Sequence, residues 1–315
     1  MKLKKNIKQI KGDASLRSFF RIKKKKLSSI IVYAKKDKKI NLLTYDSINK
    51  ILIKNNILAP KLLSESYSKN YIEIQDFGNQ TIFGLLKKNK VDKISIFKQI
   101  IKLLIKLQSI PERKIKNFKK KNYTIPTYHS KILLEEAILF ADWYIAQKLS
   151  KSQKTVFKKK FIKILNNLIK KIHSKNNIFV HRDFHVSNLM MVKKEIGVID
   201  SQDALIGNKA YDLASLIDDV RFETSQNIKK RVFNFYLKSQ AKMNTKHFKN
   251  DFEIVSVLRN LKIIGIFTRL AIRDNKKKYL KLIPYAWNII KLRSRNSNKF
   301  EDLNDLLNIF KKNLI

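Results

Sequence analysis

The stretch His181-Arg182-Asp183-Phe184-His185-Val186-Ser187-Asn188, followed by Ile199-Asp200, holds the side chains best suited to chemistry in this chain. One carboxylate stands five positions before a carboxamide, and a second follows twelve positions after it. Transfer of a phosphoryl group from a nucleotide needs that set: a base beside the accepting hydroxyl, and hard oxygen ligands for the Mg²⁺ that bridges the phosphates. Asp183 is the expected base, because a carboxylate within reach of a hydroxyl can orient it and take its proton, an effect of roughly 10²–10⁴ in rate. Asn188 and Asp200 are the expected Mg²⁺ ligands, since Mg²⁺ keeps several waters and asks little more of the protein once phosphate oxygens are present.

The neighbouring residues have supporting roles. His181 and Arg182 precede the base and are expected to hold the loop. His185 either meets substrate or packs the loop, and the two imidazoles four apart are read as non-metal residues because their neighbours are hard oxygen donors. Gln202, Asp203 and Asp212 follow the metal carboxylate; Asp212 opens a helix and either caps it or braces the catalytic loop. Near the N-terminus, Gly12-Asp13-Ala14-Ser15-Leu16-Arg17 falls at a turn between strands. There backbone amides and Ser15 can approach phosphate oxygens, and Arg17 can add a charged clamp. Lys35, at the end of the third strand, stands where a phosphate-pairing lysine would be wanted.

Those residues need strands and helices to hold them. Ile7–Gly12, Ser15–Ile22 and Ser29–Lys36 read as an antiparallel meander, followed by a helix over Ile40–Asn55 and a strand pair, Lys61–Tyr67 and Tyr71–Gln75. After Asp76-Phe77-Gly78 the pattern turns helical: Val91–Gln108, His129–Leu149 and Gln153–Ile172. A β-rich island interrupts it at Ile178–Val180, Leu189–Val192 and Gly197–Ile199, and carries the catalytic loop. From Tyr211 onward the chain reads as helical, Phe252–Ile272 being its most apolar helix. The reading is α+β: a small β-rich lobe over residues 1–76 that binds nucleotide, and a larger, mostly helical lobe over 77–315 with the catalytic loop and acceptor site.

Composition narrows the classes. A chain of 315 residues with 44% hydrophobic content is globular and large enough for two lobes. With no cysteine there is no disulfide, thiolate zinc site or cysteine nucleophile, and with no apolar leader behind the basic N-terminus the expected location is the cytoplasm. Apolar runs stay short of the roughly 18 residues of a membrane span. The net charge of +44, from 69 Lys and Arg against 25 Asp and Glu, would by itself suggest nucleic acid. The excess is lysine spread over nearly every segment with much Ile and Asn, the residues of A/T-rich codons, so genome composition suffices to explain it. Steering of anionic small substrates follows from it all the same.

Taken together the motifs resemble the aminoglycoside phosphotransferase/choline kinase family, which has a bilobal protein-kinase-like fold. His181, Asp183, His185 and Asn188 match its H-G/R-D-x-H-x-x-N loop, Ile199-Asp200-Ser201-Gln202-Asp203 its I-D-x-x-D segment, and Tyr211-Asp212-Leu213 its Y-D-L helix start. Gly12 to Arg21 (Gly-Asp-Ala-Ser-Leu-Arg-Ser-Phe-Phe-Arg), His-Arg-Asp in the loop, and Gln202-Asp203-Ala204 resemble a bacterial branch that phosphorylates the anomeric hydroxyl of N-acetylmuramate and N-acetylglucosamine in cell-wall recycling. The resemblance implies ATP and Mg²⁺ as cofactors, an amino sugar as substrate, and Glu73–Gln75 as the hinge that meets adenine. Two departures stand out: Ser201 where the branch has an aromatic residue, and Tyr33-Ala34-Lys35-Lys36 where it has Asp-Ala and prolines. Kinases of other small alcohols (an aminoglycoside, choline) and a basic RNA-binding protein without catalysis are the alternatives.

Overall fold

The computed structural model describes residues 7–10, 17–24, 27–241, 243–295 and 297–309. They fall into two compact units, Met1–Pro126 with Ile178–Ile206, and Thr127–Asn177 with Gly207–Ile315. The switch from strands to helices near residue 76 therefore lies inside the first unit, and so does the expected catalytic loop.

In the first unit, β1 (Ile7–Ile10), β2 (Arg17–Lys24), β3 (Leu27–Ala34), β4 (Leu62–Ser66) and β5 (Tyr71–Gln75) form an antiparallel sheet in the order β1-β2-β3-β5-β4. Alternation along β3 buries Ile30, Val32 and Ala34 on one face, where they meet Leu42 and Tyr45 of helix α1 (Ile40–Lys54) and Ile72 and Ile74 of β5. The third strand ends at Ala34, two residues short of the expected Lys36. Lys35 leaves the sheet because its carbonyl accepts from Lys38 N–H and starts a 3₁₀ turn over Lys36–Lys38.

Next come α2 (Ile82–Lys87), α3 (Lys93–Gln108) and a small hairpin, β6 (Lys114–Lys116) with β7 (Asn122–Thr124). Asp92 caps α3 by accepting from Ser95 N–H at 2.6 Å. The β-rich island holds β8 (Ile178–Val180), the antiparallel hairpin of β9 (Leu189–Val192) and β10 (Glu195–Val198), and β11 (Leu205–Gly207), which pairs with β8. Gly197 in β10 lets the ring of Phe77 come close, since a Cβ there would stand 2.7 Å from it.

The second unit is helical: α4 (Ser130–Leu139), α5 (Lys151–Lys170), α6 (Ala210–Ile217), α7 (Gln226–Lys238), α8 (Thr245–Arg273), α9 (Ile283–Ser294) and α10 (Glu301–Ile309). Its core gathers Phe140, Phe157, Phe161, Leu258, Leu261, Ile264, Phe267 and Ile290. The single helix expected over His129–Leu149 is broken. After Leu139 it widens into a π turn, Phe140–Tyr144, and tightens into a 3₁₀ turn, Ile145–Gln147. The cause is tertiary: α8 crosses so closely at Gly265 that a Cβ would stand 2.3 Å from the carbonyl carbon of Leu139. Among the described residues no helix is long and apolar enough to cross a membrane.

A buried ion cluster ties this unit together. Asp218 accepts from Arg293 at 2.8 and 2.9 Å, Lys229 at 3.0 Å and Ser256 Oγ at 2.6 Å. Burial alone would raise its pKa. The two cations and the hydrogen bonds outweigh burial and hold the carboxyl well below its ordinary range.

Candidate active site

The candidate catalytic loop hangs between β8 and β9. His181, directly after β8, is fully buried, with its ring edge toward Phe184, and its Nε2–H donates to the carbonyl of Ile199 at 3.2 Å. Burial pushes its pKa down, against the pull of the Asp183 and Asp200 charges, so the ring is a neutral brace of the loop. Arg182 takes a left-handed φ of 75°, an uncommon conformation for a residue with a side chain.

The carbonyl of Asp183 accepts from His185 N–H and from Asn188 Nδ2, each at 3.0 Å. Asn188 Nδ2 also lies 3.5 Å from His185 Nε2, and the buried His185 packs the loop there. With its nitrogen committed inward, Asn188 keeps Oδ1 clear of hydrogen bonds among the described residues.

The β9–β10 hairpin brings the two expected metal ligands together. Leu189 pairs with Val198, and one step out Ile199 N–H donates to the Asn188 carbonyl at 3.0 Å, so Asp200 follows directly beside Asn188. Asp200 turns the chain in a left-handed conformation (φ 63°, ψ 38°) into a 3₁₀ turn over Ser201–Asp203. Its Oδ1 accepts from Arg17 Nη2 at 2.9 Å. Burial raises the Asp200 pKa, Arg17 opposes that, and the Asp183 charge adds to it. Two oxygen-bearing side chains side by side fit a Mg²⁺ that takes its remaining ligands from phosphate and water.

Helix α1 backs this turn. Ser201, fully buried, donates to Asn49 Oδ1 at 2.6 Å, and Asn49 Nδ2 donates to the Pro60 carbonyl at 3.0 Å. A small hydroxyl fits this spot against α1, which accounts for the absence of an aromatic residue at 201. Tyr45, one helical turn before Asn49, has its phenol pushed up to about 12 by burial and by the Asp200 charge, with Arg17 and a hydrogen bond to Asn49 opposing. Gln202 Nε2 donates to Asp203 Oδ2 at 2.6 Å, while its Oε1 is enclosed without a hydrogen-bond partner. Burial and the Asp203 charge also push the Tyr123 phenol up to about 12.

The remaining expected residues are distributed as follows. Gly12 and Ser15 lie outside the described residues. Lys35 is exposed, and its ammonium group makes no hydrogen bond or ion pair among the described residues. Glu73 accepts from Ser29 Oγ at 2.5 Å and Ser64 Oγ at 3.1 Å. Gln75 N–H is taken by the Lys61 carbonyl at 2.9 Å, and Gln75 Oε1 is buried with no hydrogen-bond partner among the described residues. Asp212 sits in the second unit, buried in the first turn of α6; it is Asn208 Oδ1 that accepts from Ala210 N–H at 2.8 Å.

Sequence reasoning missed three side chains. Arg21 grips Asp76 with Nε at 2.6 Å and Nη2 at 2.9 Å, and reaches the Gly78 carbonyl at 2.8 Å and Asn79 Oδ1. It thereby ties β2 to the segment after β5. Strand alternation was the available signal, since Arg17, Phe19 and Arg21 share one face of β2. Tyr45 and Asn49 share a face of α1 at helical spacing, but nothing in the sequence marks them as neighbours of Asp200.

The chain belongs to the Phosphotransferase enzyme family (APH), whose family profile matches residues 6–245. It is thus an enzyme of the small-molecule kinase class. A protein of Neisseria meningitidis serogroup B named N-acetylmuramate/N-acetylglucosamine kinase is 28% identical over 304 residues, covering 94% of this chain and 88% of the relative. A Pseudomonas aeruginosa protein of the same name is 25% identical, over 94% of this chain and 86% of the relative. Among solved structures, a choline/ethanolamine kinase family protein of Mesorhizobium loti superposes with a TM-score of 0.64 at 10% identity, covering 96% and 92% of the two chains. A spectinomycin phosphotransferase complex gives 0.60 at 15% identity over 91% and 92%. At such identities these structures speak for the fold.

Proposed function

We propose that the protein is an ATP- and Mg²⁺-dependent kinase of N-acetylmuramate and N-acetylglucosamine that phosphorylates the anomeric hydroxyl, working in the cytoplasm during cell-wall recycling. The observation that carries the reading is the pairing of Asn188 with Ile199, which sets Asn188 beside Asp200 at the end of the loop that bears Asp183. The shared name of relatives spanning most of the chain supports the choice of acceptor. The net charge of +44 supports it too, because it favours the anionic N-acetylmuramate over cationic choline or aminoglycosides.

In this reading Asp183 orients the sugar hydroxyl and takes its proton as the oxygen–phosphorus bond forms and the bond from the γ-phosphorus to the β-bridging oxygen breaks. The proton then passes to solvent, and ADP leaves. Asn188 Oδ1 and Asp200 would hold Mg²⁺, which would supply charge neutralisation for the transferring phosphate. By the family resemblance Glu73–Gln75 would form the hinge that meets adenine.

The test is to incubate the purified protein with ATP, Mg²⁺ and, separately, N-acetylmuramate, N-acetylglucosamine, choline and kanamycin, and to follow ADP and the product by ³¹P NMR. Transfer to the anomeric oxygen of the two amino sugars is expected. Transfer confined to choline or kanamycin, or none to any acceptor, would overturn the reading.

A further inference from the structure

The carboxylate expected to hold the metal already carries a cation. Arg17 Nη2 donates to Asp200 Oδ1 at 2.9 Å, and the Arg17 side chain is only 7% exposed. Its guanidinium carbon lies 5.8 Å from the ring centre of Phe19 and 5.9 Å from that of Tyr45. These contacts fix the group in place and shield it from water.

Among the described residues of this unit, no strand lysine is held by a helix glutamate, the arrangement found in protein kinases. The end of β3 is Ala34, fully buried, and Arg17 stands opposite it across the ladder. Lys35 has left the sheet. Helix α1 contains no glutamate; its acidic residue, Asp46, is committed to Lys50 at 2.8 Å and to Phe118 N–H at 2.7 Å. The described cation fixed directly beside the Asn188–Asp200 pair is supplied by β2.

We propose, on the basis of the kinase reading, that Arg17 is the side chain that pairs with the nucleotide phosphates, and that Asp200 holds it in position until the nucleotide arrives. On binding, Arg17 turns from Asp200 to phosphate oxygens, and Asp200 Oδ1 becomes free to serve the metal. Each partner exchanges one opposite charge for another, so no charge is left unpaired in a partly buried place, where that would be costly. A planar guanidinium suits both partners, since its fork of N–H groups matches carboxylate and phosphate alike. The ion pair also gives nucleotide binding a built-in competition: without metal, Asp200 and the phosphates contend for the same arginine.

Equilibrium binding by calorimetry tests this without relying on turnover. ATP, ADP and adenosine are titrated into the wild type, Arg17→Met and Arg17→Lys, with Mg²⁺. For Arg17→Met, ATP and ADP are expected to weaken at least about tenfold, the size of a lost hydrogen bond to a charged group. Adenosine should hold within about twofold of wild type, and Arg17→Lys should fall between. In Mg²⁺-free buffer Asp200→Asn is expected to bind ATP more tightly than wild type, a gain absent from the Arg17→Met/Asp200→Asn double variant. Unchanged ATP and ADP affinity in Arg17→Met, or an equal loss for adenosine, would overturn the proposal. Failure of the wild type to bind any nucleotide would instead remove the kinase reading on which it rests.

Discussion

The main-chain N–H of Ile199 donates to the carbonyl of Asn188 at 3.0 Å, and this bond makes neighbours of the Asn188 and Asp200 side chains, twelve positions apart. The hairpin of β9 and β10 sets the register, the Asn188 carboxamide nitrogen turns inward to Asp183, and Asp200 emerges at the strand end with Arg17 on its carboxylate.

If Asn188 and Asp200 share a Mg²⁺, their removal should change the metal dependence of the reaction. Asn188→Ala is expected to raise the Mg²⁺ concentration for half-maximal rate by about 10–100-fold, in line with the loss of a metal-supporting group. Asp200→Ala should leave little rate at any Mg²⁺ concentration. Initial rates across a Mg²⁺ titration check both. An Asn188→Ala curve that superposes on wild type would remove Asn188 from the metal site.

The Asp218 cluster should dominate the acid stability of the helical unit. Its folded pKa is depressed, so its stabilisation is complete above the ordinary carboxylate pKa of about 4 and is lost as pH falls below it toward the folded value. Asp218→Asn leaves Lys229 and Arg293 without their buried carboxylate and is expected to cost about 3–5 kcal/mol near neutral pH. The deficit should shrink on acidification below about pH 4, where the unfolded state takes up a proton that the folded Asp218 carboxylate still refuses. Urea melts between pH 3 and 8 measure it.

How much could be read from the sequence depended on whether the cause was local. Asp183, Asn188 and Asp200 stand out as candidates because their types and spacing meet a chemical requirement, and the sheet was legible because alternation such as Ile30, Val32, Ala34 is a local pattern. The strand-to-helix change near 76 was legible too, although the described structure groups residues 178–206 with the first unit. Lys35 was misplaced because composition says nothing of where a strand ends, and the cation beside Asp200 comes from the neighbouring strand at Arg17. The short β6–β7 hairpin, with one apolar residue in each strand, and the three-residue β11 are too brief to leave a period. The π turn at Phe140 has no signal in its own segment, since its cause sits 125 positions away at Gly265.

That cause can be tested. A methyl group at 265 would run into main-chain atoms of Leu139 and Phe140, which cannot rotate away as a side chain can. Gly265→Ala is expected to destabilise the protein by about 1–3 kcal/mol or more, the cost of overpacking a close-packed core. In a helix free of that contact the same change would stabilise by up to about 1 kcal/mol. The sign of the shift in thermal midpoint therefore decides whether the close crossing exists.

The central claim is that Asp183 is the base of a phosphoryl transfer to a sugar hydroxyl. The most direct measurement is single-turnover transfer from ATP to N-acetylglucosamine by Asp183→Asn, with nucleotide affinity determined on the same preparation. The account expects the transfer rate to fall by about 10²–10⁴ while ATP affinity stays within about threefold of wild type. Transfer at the wild-type rate by Asp183→Asn would contradict it.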